Sequence, residues 1–254
     1  MTAAVAPEAG PAQSVPVLAG AGLSKSYGNL PVLTEVDFAV SRAAAVGIVG
    51  PNGAGKTTLL NVLAGSVAPS AGTVRIDGQD VTALRPELRC RRGVGRAFQI
   101  PRPFGGMTVL ENVMVGAAYG ARLPRAAAYE RCVEVLDLCG LVEYANRRAD
   151  SLGLLHRKRL ELARSVATNP RVLLLDEIGA GLTDAEAAEL VATIKALHSL
   201  DISIVWIEHI VHVLVQVVER LVCMDAGRII ADGAPEAVLR DAVVIDAYLG
   251  TART

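Results

Sequence analysis

The sequence carries almost no net charge, and this limits the partners that it can attract. Its formal net charge is −1, from 25 basic and 26 acidic residues, so it lacks a general basic field for nucleic acid. An arginine-rich stretch contains Arg85, Arg89, Arg91, Arg92 and Arg96, but no aromatic residues are interleaved with it to stack on bases. We therefore expect no nucleic-acid partner and interpret the stretch as a solvated surface, with contact to a partner protein or lipid headgroups as the alternative.

Long hydrophobic runs are also absent, although 52% of the residues are hydrophobic and the mean hydropathy is +0.39. A membrane-spanning helix needs about 20 consecutive apolar residues. The longest candidate, Phe38 to Val49, is interrupted by a serine and an arginine. The first residues lack the charged start and apolar stretch of a signal peptide. We expect residues 1–16, which are rich in alanine and proline, to form a disordered tail, and residues 17–254 to form the folded domain.

Cysteine is scarce, which argues against both a disulfide framework and a metal cluster. The four cysteines, Cys90, Cys132, Cys139 and Cys223, form no Cys-x-x-Cys pair and no cluster with histidine. We expect reduced, structural thiols in a cytosolic protein.

Strand-like and helix-like patterns alternate along the rest of the chain. Short apolar or alternating runs predict strands, and apolar residues at helical spacing predict helices. From Thr108 to Thr168 the helical spacing dominates, which indicates a helical insertion. Such an alternation is typical of a doubly wound α/β sheet. The predicted strands are Val17–Tyr27, Val32–Val40, Ala44–Val49, Thr73–Ile76, Val94–Gln99, Val172–Leu175, Ile202–Ile207 and a hairpin of Leu221–Met224 with Ile229–Ala231, and the predicted helices outside the insertion are Leu59–Ala64, Asp184–Leu197 and Ile210–Val218.

A glycine-rich loop follows the predicted strand Ala44–Val49 and fits Gly-x-x-x-x-Gly-Lys-[Ser/Thr] at every fixed position. Glycines allow successive backbone N–H groups to curl around phosphates, and the helix that follows points its positive end at them. The lysine reaches the β- and γ-phosphates, and the next hydroxyl binds Mg²⁺. The predicted nucleotide-binding residues are Pro51, Asn52, Gly53, Ala54, Gly55, Lys56, Thr57 and Thr58.

A second acidic element follows the apolar run Leu173–Leu175. Asp176, at the end of a buried strand, is typical of a Walker B aspartate that anchors Mg²⁺. The adjacent Glu177 is placed to polarise the attacking water as a general base. Alone, an Asp-Glu pair after an apolar run usually marks only a strand end, but the complete phosphate loop before it favours the functional interpretation.

With these motifs in place, the chain from about Val17 onwards resembles the ATPases of ABC transporters. The resemblance implies a RecA-like P-loop NTPase core with an antiparallel β subdomain and a helical subdomain inserted at about residues 105–168. It also implies that Tyr27 stacks on adenine, that Gln99 contacts Mg²⁺ and the nucleophilic water, and that His209 contacts the γ-phosphate. Without the family context, Tyr27 would be read as a half-buried strand residue and His209 as an ordinary surface histidine.

Several stretches are similar to the ATPases of branched-chain amino-acid importers, which in turn resemble the ATPase that powers lipopolysaccharide export. The resemblance implies a peripheral subunit at the cytoplasmic face of the membrane that binds ATP and Mg²⁺. Its implied partners are membrane-spanning permease subunits and a second ABC ATPase subunit, and its implied role is uptake of branched-chain or related amino acids or amides. An ATPase of a lipid or glycan exporter, a non-transport ABC ATPase and a nucleotide-binding regulator without turnover are the alternatives. The similar stretches are Phe104–Val113, Ala180–Thr183, Ile207–His209 and Ala247–Gly250.

One motif of the family, the Leu-Ser-Gly-Gly-Gln signature, is not intact. In the family, its serine and the helix N-terminus there bind the γ-phosphate held by the partner subunit. Leucines in place of the glycines add bulk where backbone approaches phosphate. We therefore expect a non-identical partner ATPase with an intact signature, and we interpret the cationic run Arg157–Arg159 as a solvated helix face. The residues at the signature position are Gly153, Leu154, Leu155 and His156.

The resemblance to importers also places the docking of a permease helix near Gln99–Phe104. An apolar floor made by Phe98, Phe104 and Met107 suits a helix that lies in a groove. For Phe98, packing in the core is the alternative.

Overall fold

The computed structural model describes residues 15–249, so the predicted tail lies almost wholly outside the described residues. The strands are β1 Leu18–Tyr27, β2 Leu30–Val40, β3 Ala45–Val49, β4 Ala71–Ile76, β5 Gln79–Asp80, β6 Val94–Ala97, β7 Val172–Asp176, β8 Ser203–Ile207, β9 Arg220–Asp225 and β10 Arg228–Gly233. The α-helices are α1 Lys56–Ala64, α2 Pro86–Cys90, α3 Val109–Val115, α4 Arg125–Leu138, α5 Leu154–Val166, α6 Asp184–His198, α7 Val211–Leu214, α8 Pro235–Arg240 and α9 Ala242–Leu249. Short turns of other helix types lie at Gly116–Gly120, Val142–Tyr144 and Ala149–Ser151.

The first strands form an antiparallel sheet in the order β2-β1-β4-β5. β1 and β2 make a long hairpin, in which Leu18 pairs with Val40 and Tyr27 with Leu30. In β2 the buried Val36, Phe38 and Val40 alternate with more exposed residues, as expected for a sheet with one covered face, whereas register shifts interrupt the alternation in β1. The covered face shares one hydrophobic core with α1, which confirms the predicted antiparallel part of the fold.

A six-stranded sheet of order β10-β9-β3-β8-β7-β6 forms the centre, and its strands are parallel except for β10. Every residue of β3, β7 and β8 is buried. In β7, Leu173 and Leu175 belong to one hydrophobic core and Val172 and Leu174 to the other, so both faces are covered. Because the parallel strands run the same way, the residues after β3, β6, β7 and β8 meet at one edge of the sheet.

Helices α3, α4 and α5 lie between β6 and β7 in the chain, which confirms the helical character predicted for Thr108–Thr168. α3 begins at a capping box, in which the Thr108 side chain accepts from the Glu111 N–H and the Glu111 carboxylate accepts from the Thr108 N–H. The buried apolar residues of these helices share a core with one face of the parallel sheet. The predicted α/β fold with an antiparallel sheet and a helical insertion is confirmed.

Two arginines of the stretch that we interpreted as solvated are buried, so the interpretation is wrong for them. Arg89 is 1% exposed, and its Nη1 donates to the carbonyl oxygens of Val62 at 2.6 Å and Leu63 at 2.9 Å. These carbonyls belong to the last turn of α1, where the C-cap Gly65 N–H also donates to Val62 and few donors of the helix remain. The Arg96 side chain is 8% exposed and pairs with Asp176. Spacing in the sequence did not show that these cations face inward.

Other differences from the predictions are local. α7 is shorter than the predicted helix Ile210–Val218, because the chain continues as hydrogen-bonded turns up to Val218, after which the Glu219 N–H donates to the Ala45 carbonyl of the sheet. Helices α8 and α9 were not predicted. Lys158 is 4% exposed, so a solvated helix face is the wrong interpretation for it.

The four cysteines are free, as expected. No helix between residues 15 and 249 has the length and hydropathy to cross a membrane.

Candidate active site

The phosphate loop joins β3 to α1, and two of its glycines adopt conformations that other residues resist. Gly50 has a φ angle of 144° and Gly55 one of 97°. A Cβ atom on Gly50 would lie 2.0 Å from the Met224 carbonyl oxygen, and one on Gly55 would lie 2.7 Å from that of Val32. The loop is therefore packed tightly from behind, while its open side lines a cavity of about 230 Å³.

The lysine of the loop is the first residue of α1 and lies across the mouth of the loop. Lys56 is 6% exposed, and its Nζ donates to the carbonyl oxygens of Gly50 at 2.7 Å and Pro51 at 3.0 Å. Burial lowers the pKa of Lys56, and the nearby Glu177 and Asp176 carboxylates oppose that shift. A cation is thus held next to the free N–H groups at the start of α1, which is a favourable arrangement for phosphate.

The next residue contacts the end of β7. Thr57 Oγ1 donates to Asp176 Oδ1 at 3.3 Å, and Asp176 Oδ2 accepts from Arg96 Nη2 at 3.1 Å. Burial raises the pKa of Asp176, and the charge and hydrogen bond of Arg96 and the hydrogen bond from Thr57 oppose the shift. Sequence reasoning identified Thr57 and Asp176 but missed Arg96, although a charged residue inside an otherwise buried strand was a usable signal.

Glu177 lies at the centre of the three strand ends. Its carboxylate accepts from Gln99 Nε2 and shares a hydrogen bond of 2.8 Å with His209 Nε2. Its backbone has a positive φ of 48°, which is uncommon for a residue with a side chain, and its N–H donates to the Ile207 carbonyl. The structure therefore brings together the three residues that the sequence singled out after β6, β7 and β8, and Glu177 also lines the phosphate cavity.

Tyr27 lies apart from this group. It ends β1 at the tip of the hairpin, its side chain is half-exposed, and the Lys25 ammonium lies 5.1 Å from the centre of its ring. Within residues 15–249 its ring makes no hydrogen bond or ring contact with the phosphate loop. Val32 of β2, which follows the same hairpin turn as Tyr27, lines the phosphate cavity and places this hairpin beside the phosphate loop.

The residues at the signature position begin helix α5. Gly153 is the N-cap of α5 without any side-chain cap, and a Cβ atom added to it would meet nothing within 4 Å. Leu154 is 45% exposed, and its Cδ2 would lie 3.4 Å from a Cβ atom on Gly181, in the loop after Glu177. Leu155 is buried. The start of α5 thus presents an apolar side chain where a phosphate-binding helix start presents bare N–H groups.

The next side chain turns back into the helical part of the molecule. The ring of His156 packs on Tyr144 with 4.2 Å between the ring centres, and Arg147 lies 4.9 Å from the Tyr144 ring. Burial lowers the pKa of His156, and the Arg159 charge acts in the same direction. Lys158, two residues on, donates to the Gln99 carbonyl at 3.4 Å. None of these contacts joins His156 to the phosphate loop of this chain.

Two further residues near the site were not identified from the sequence. Glu208 is 2% exposed and accepts from the Gly179 N–H at 2.6 Å and from Trp206 Nε1 at 3.2 Å, so it fixes the loop after Glu177 against β8. Burial raises the pKa of Glu208. An acid that directly follows the apolar run Ile204–Ile207 was the available signal. Tyr248 of α9 accepts from the Gly50 N–H at 2.7 Å, across 198 positions of sequence, and no sequence pattern indicated it.

A groove lies between β6 and α5, next to the site. It encloses about 520 Å³ and is lined by Phe98 and Arg164, among others. Phe98 and Phe104 are each 45% exposed and Met107 is 38% exposed. The Arg164 guanidinium lies over the Phe104 ring at 4.8 Å. Phe98 therefore lies at the surface, and the alternative interpretation, that it packs in the core, is wrong.

A parallel sheet whose carboxyl edge carries a phosphate loop and an Asp-Glu pair defines a P-loop nucleotide hydrolase. Residues 33–180 match the family described as ABC transporter, and residues 228–254 match the family described as branched-chain amino acid ATP-binding cassette transporter. The chain therefore belongs to the ABC transporter family and is an ATP-hydrolysing, nucleotide-binding subunit. The family assignment made from the sequence is confirmed.

Known relatives agree with this assignment. The chain is 36% identical to the high-affinity branched-chain amino acid transport ATP-binding protein BraF of Pseudomonas aeruginosa, over 94% of this chain and 100% of the relative. It is 35% identical to LivG of Escherichia coli, a protein of the same description, with the same coverage. The crystal structure of the ADP conformation of MJ1267, an ATP-binding cassette of an ABC transporter, superposes with a TM-score of 0.83 at 28% identity, over 92% of this chain and 99% of that one.

Proposed function

We propose that the chain hydrolyses MgATP to power the uptake of branched-chain or related amino acids or amides. The observation that best supports hydrolysis is the position of Glu177, which borders the phosphate cavity and is held between Gln99 and His209. The class of solute is supported by the match of residues 228–254 and by the names of BraF and LivG.

The phosphate loop is proposed to bind the β- and γ-phosphates through its backbone N–H groups and Lys56. The Thr57 hydroxyl and the Asp176 carboxylate are adjacent, hard oxygen donors of the kind that Mg²⁺ prefers, and Mg²⁺ takes its remaining ligands from phosphate and water. Gln99 is the further candidate ligand through its amide oxygen, since its side chain lies beside Glu177. A bound Mg²⁺ would neutralise charge that develops on the phosphates.

In the proposed reaction, water attacks the γ-phosphorus in line with the bond to ADP. Glu177 accepts the proton from that water, the bond from the γ-phosphorus to the bridging oxygen breaks, and phosphate and ADP leave. Gln99 and His209 orient the Glu177 carboxylate and contact the water and the γ-phosphate. The half-exposed ring of Tyr27 provides a surface on which adenine stacks.

The proposed partners in the membrane are permease subunits, which place this chain at the cytoplasmic face. Phe98 lines both this groove and a neighbouring cavity that includes Gln99, so a permease helix docked on Phe98 would lie beside the catalytic centre. Opening and closing of the ATPase pair would then move that helix.

The second ATPase subunit is proposed to be a different protein with an intact signature. In this chain Leu154 protrudes at the start of α5 and His156 is packed on Tyr144, so neither offers a polar group to the nucleotide of a partner. The phosphate site of this chain, completed by an intact signature, would hydrolyse ATP. The opposite site, completed by Gly153 to His156, would bind ATP and hydrolyse it poorly.

A second candidate is an ATPase that drives export of a lipid or glycan. It is favoured by the 33% identity to the lipopolysaccharide export system ATP-binding protein LptB of Haemophilus influenzae, over 92% of this chain and 97% of the relative. The match of residues 228–254 to the branched-chain family favours import instead.

Uptake of labelled solute tests the proposal directly. Cells of the source organism that lack this chain would receive the wild-type chain, the Glu177→Gln variant or an empty vector, and uptake of labelled leucine, isoleucine and valine would be measured. We expect the wild-type chain alone to restore uptake. Unchanged uptake of all three in the deletion strain would contradict branched-chain amino acids as the solute, and loss of a lipid or glycan from the cell surface would favour the exporter.

A further inference from the structure

A buried ion pair joins the phosphate site to the end of β6. The side chains of Arg96 and Asp176 are 8% and 7% exposed, and Arg96 Nη2 donates to Asp176 Oδ2 at 3.1 Å. The second carboxylate oxygen, Oδ1, faces the Thr57 hydroxyl at 3.3 Å. One oxygen of Asp176 is therefore held by a protein cation, while the other faces the position proposed for Mg²⁺.

The arginine is fixed by contacts of its own. Arg96 Nη1 donates to Asn61 Oδ1 at 2.7 Å, and the guanidinium lies over the Phe98 ring at 4.6 Å. Within residues 15–249, Arg96 supplies the only lysine or arginine nitrogen within 4 Å of the Asp176 carboxylate. Lys56 donates instead to carbonyl oxygens of the phosphate loop. The ion pair is thus a stable part of the fold.

Two physical consequences follow from this arrangement. A buried carboxylate that loses its counter-ion destabilises a protein strongly, so Arg96 stabilises the site while no metal is bound. A fixed cation beside a metal ligand repels an incoming metal ion, so Arg96 also weakens the binding of Mg²⁺. The same residue therefore acts in opposite directions on the empty and on the metal-loaded site.

We propose that Arg96 is the resident counter-ion of Asp176, a positioning residue that keeps the metal site assembled between turnovers and loosens its hold on Mg²⁺ by sharing the carboxylate. The inference rests on the proposed function, because it takes Thr57 and Asp176 to hold Mg²⁺ when nucleotide is bound. It assigns Arg96 no contact with the nucleotide.

The test compares full-length wild-type chain with Arg96→Met, Arg96→Lys, Asp176→Asn and the double variant Arg96→Met/Asp176→Asn. The affinity for ADP is measured by calorimetry in EDTA and in Mg²⁺, and the ratio of the two affinities is the enhancement by Mg²⁺. We expect Arg96→Met to raise this enhancement about tenfold, since a like charge next to the metal is removed. We expect Arg96→Lys to stay near the wild-type value.

Thermal unfolding supplies the second measurement. Without nucleotide, Arg96→Met should melt about 6 °C or more below wild type, because Asp176 is left buried and unpaired. In the Asp176→Asn background, replacing Arg96 should neither lower the melting temperature nor raise the enhancement. If Arg96→Met does not fold, folding of the double variant supports the counter-ion role, and failure of the double variant as well overturns it.

Other outcomes separate the two hypotheses. An unchanged or smaller enhancement in Arg96→Met overturns the inference about Arg96, as does an equal increase in the Asp176→Asn background. An Asp176→Asn variant that keeps the full wild-type enhancement would instead overturn the proposed metal site itself, whatever Arg96 does.

Discussion

The phosphate loop and the start of α5 are both places where ATPases of this family contact a nucleotide, yet only the first keeps its motif in this chain. The loop is confined by its surroundings, since a Cβ atom on Gly50 would overlap the backbone of Met224. The start of α5 is open, because a Cβ atom on Gly153 meets nothing and the helix has no side-chain cap. Packing therefore excludes a side chain at Gly50 and leaves room for one at Gly153, although Leu155 is buried and His156 packs on Tyr144.

The two regions are joined by the loop that follows Glu177. Glu208 holds Gly179 of that loop, and two residues later Gly181 lies against Leu154 at the start of α5. The start of α5 thus lies next to the loop after Glu177 although its signature motif is not intact. We propose that this subunit needs a partner's signature for its own site and supplies a weak one in return.

The largest expected effect separates catalysis at the two regions. In a transporter complex purified through this chain, Glu177→Gln should lower ATP hydrolysis by about 10²–10⁴-fold, because the general base is removed. His156→Ala at the start of α5 should leave the rate within about twofold of wild type, because the His156 ring packs on Tyr144 and makes no contact with the phosphate loop. Rates are measured by phosphate release. An equal loss in both variants would show that the α5 region of this chain takes part in turnover.

The next effect concerns binding at the phosphate loop. Lys56→Met should weaken ATP binding by about 10–100-fold, as expected for the loss of hydrogen bonds from a charged group. Lys195→Met, on the exposed face of α6, is the matched control and should bind as wild type does. Calorimetry with the isolated chain measures both. Wild-type affinity in Lys56→Met would place the phosphates elsewhere.

Restoring the signature should have a smaller, positive effect. In a Glu177→Gln background, Gly153→Ser with Leu154→Gly should strengthen MgATP-dependent self-association by about tenfold, because a hydroxyl can now bond to a phosphate across the interface. The open space at Gly153 allows the serine without a clash. Gly153→Ala with Leu154→Gly is the control that lacks the hydroxyl. Equal self-association of the two, measured by sedimentation, would contradict a signature function for this position.

The smallest effect is on stability and depends on pH. Burial raises the pKa of Glu208, so its contribution to stability is fully present below the unfolded pKa of about 4.3 and is lost as the pH rises through the folded value. Glu208→Gln removes this dependence, and in urea unfolding the stability of the variant relative to wild type should increase as the pH rises from 4 to 7.

Glu186→Gln serves as the control of opposite sign. Hydrogen bonds from Thr183 lower the pKa of Glu186, so the stability of wild type relative to this variant should increase as the pH rises from 4 to 7. If the two variants respond to pH in the same direction, the buried environment of Glu208 does not govern its titration.

Much of the fold was predictable because its signals are local. The phosphate loop, β7 with its Asp-Glu pair and the helices of the insertion each lie within one continuous stretch, and the structure confirms those elements. The sheet geometry then brings Gln99, Glu177 and His209 together, as three strand ends at one edge imply.

The missed features depend on distant contacts. Arg96 meets Asp176 across 80 positions and Tyr248 meets Gly50 across 198, and neither spacing has a pattern that can be read along the chain. Arg89 was taken for a surface residue because charge in a sequence does not show which way a side chain faces. Its guanidinium donates to the carbonyls of the last turn of α1, a partner set that only the folded helix creates.

The central claim is that this chain has a competent phosphate site but cannot complete a second copy of that site. Size exclusion with light scattering on the Glu177→Gln chain alone, with and without MgATP, tests this most directly, because slow hydrolysis traps any closed pair. We predict a monomer that binds ATP and does not dimerise. An ATP-dependent dimer would contradict the claim, because Gly153 to His156 would then serve as a working signature.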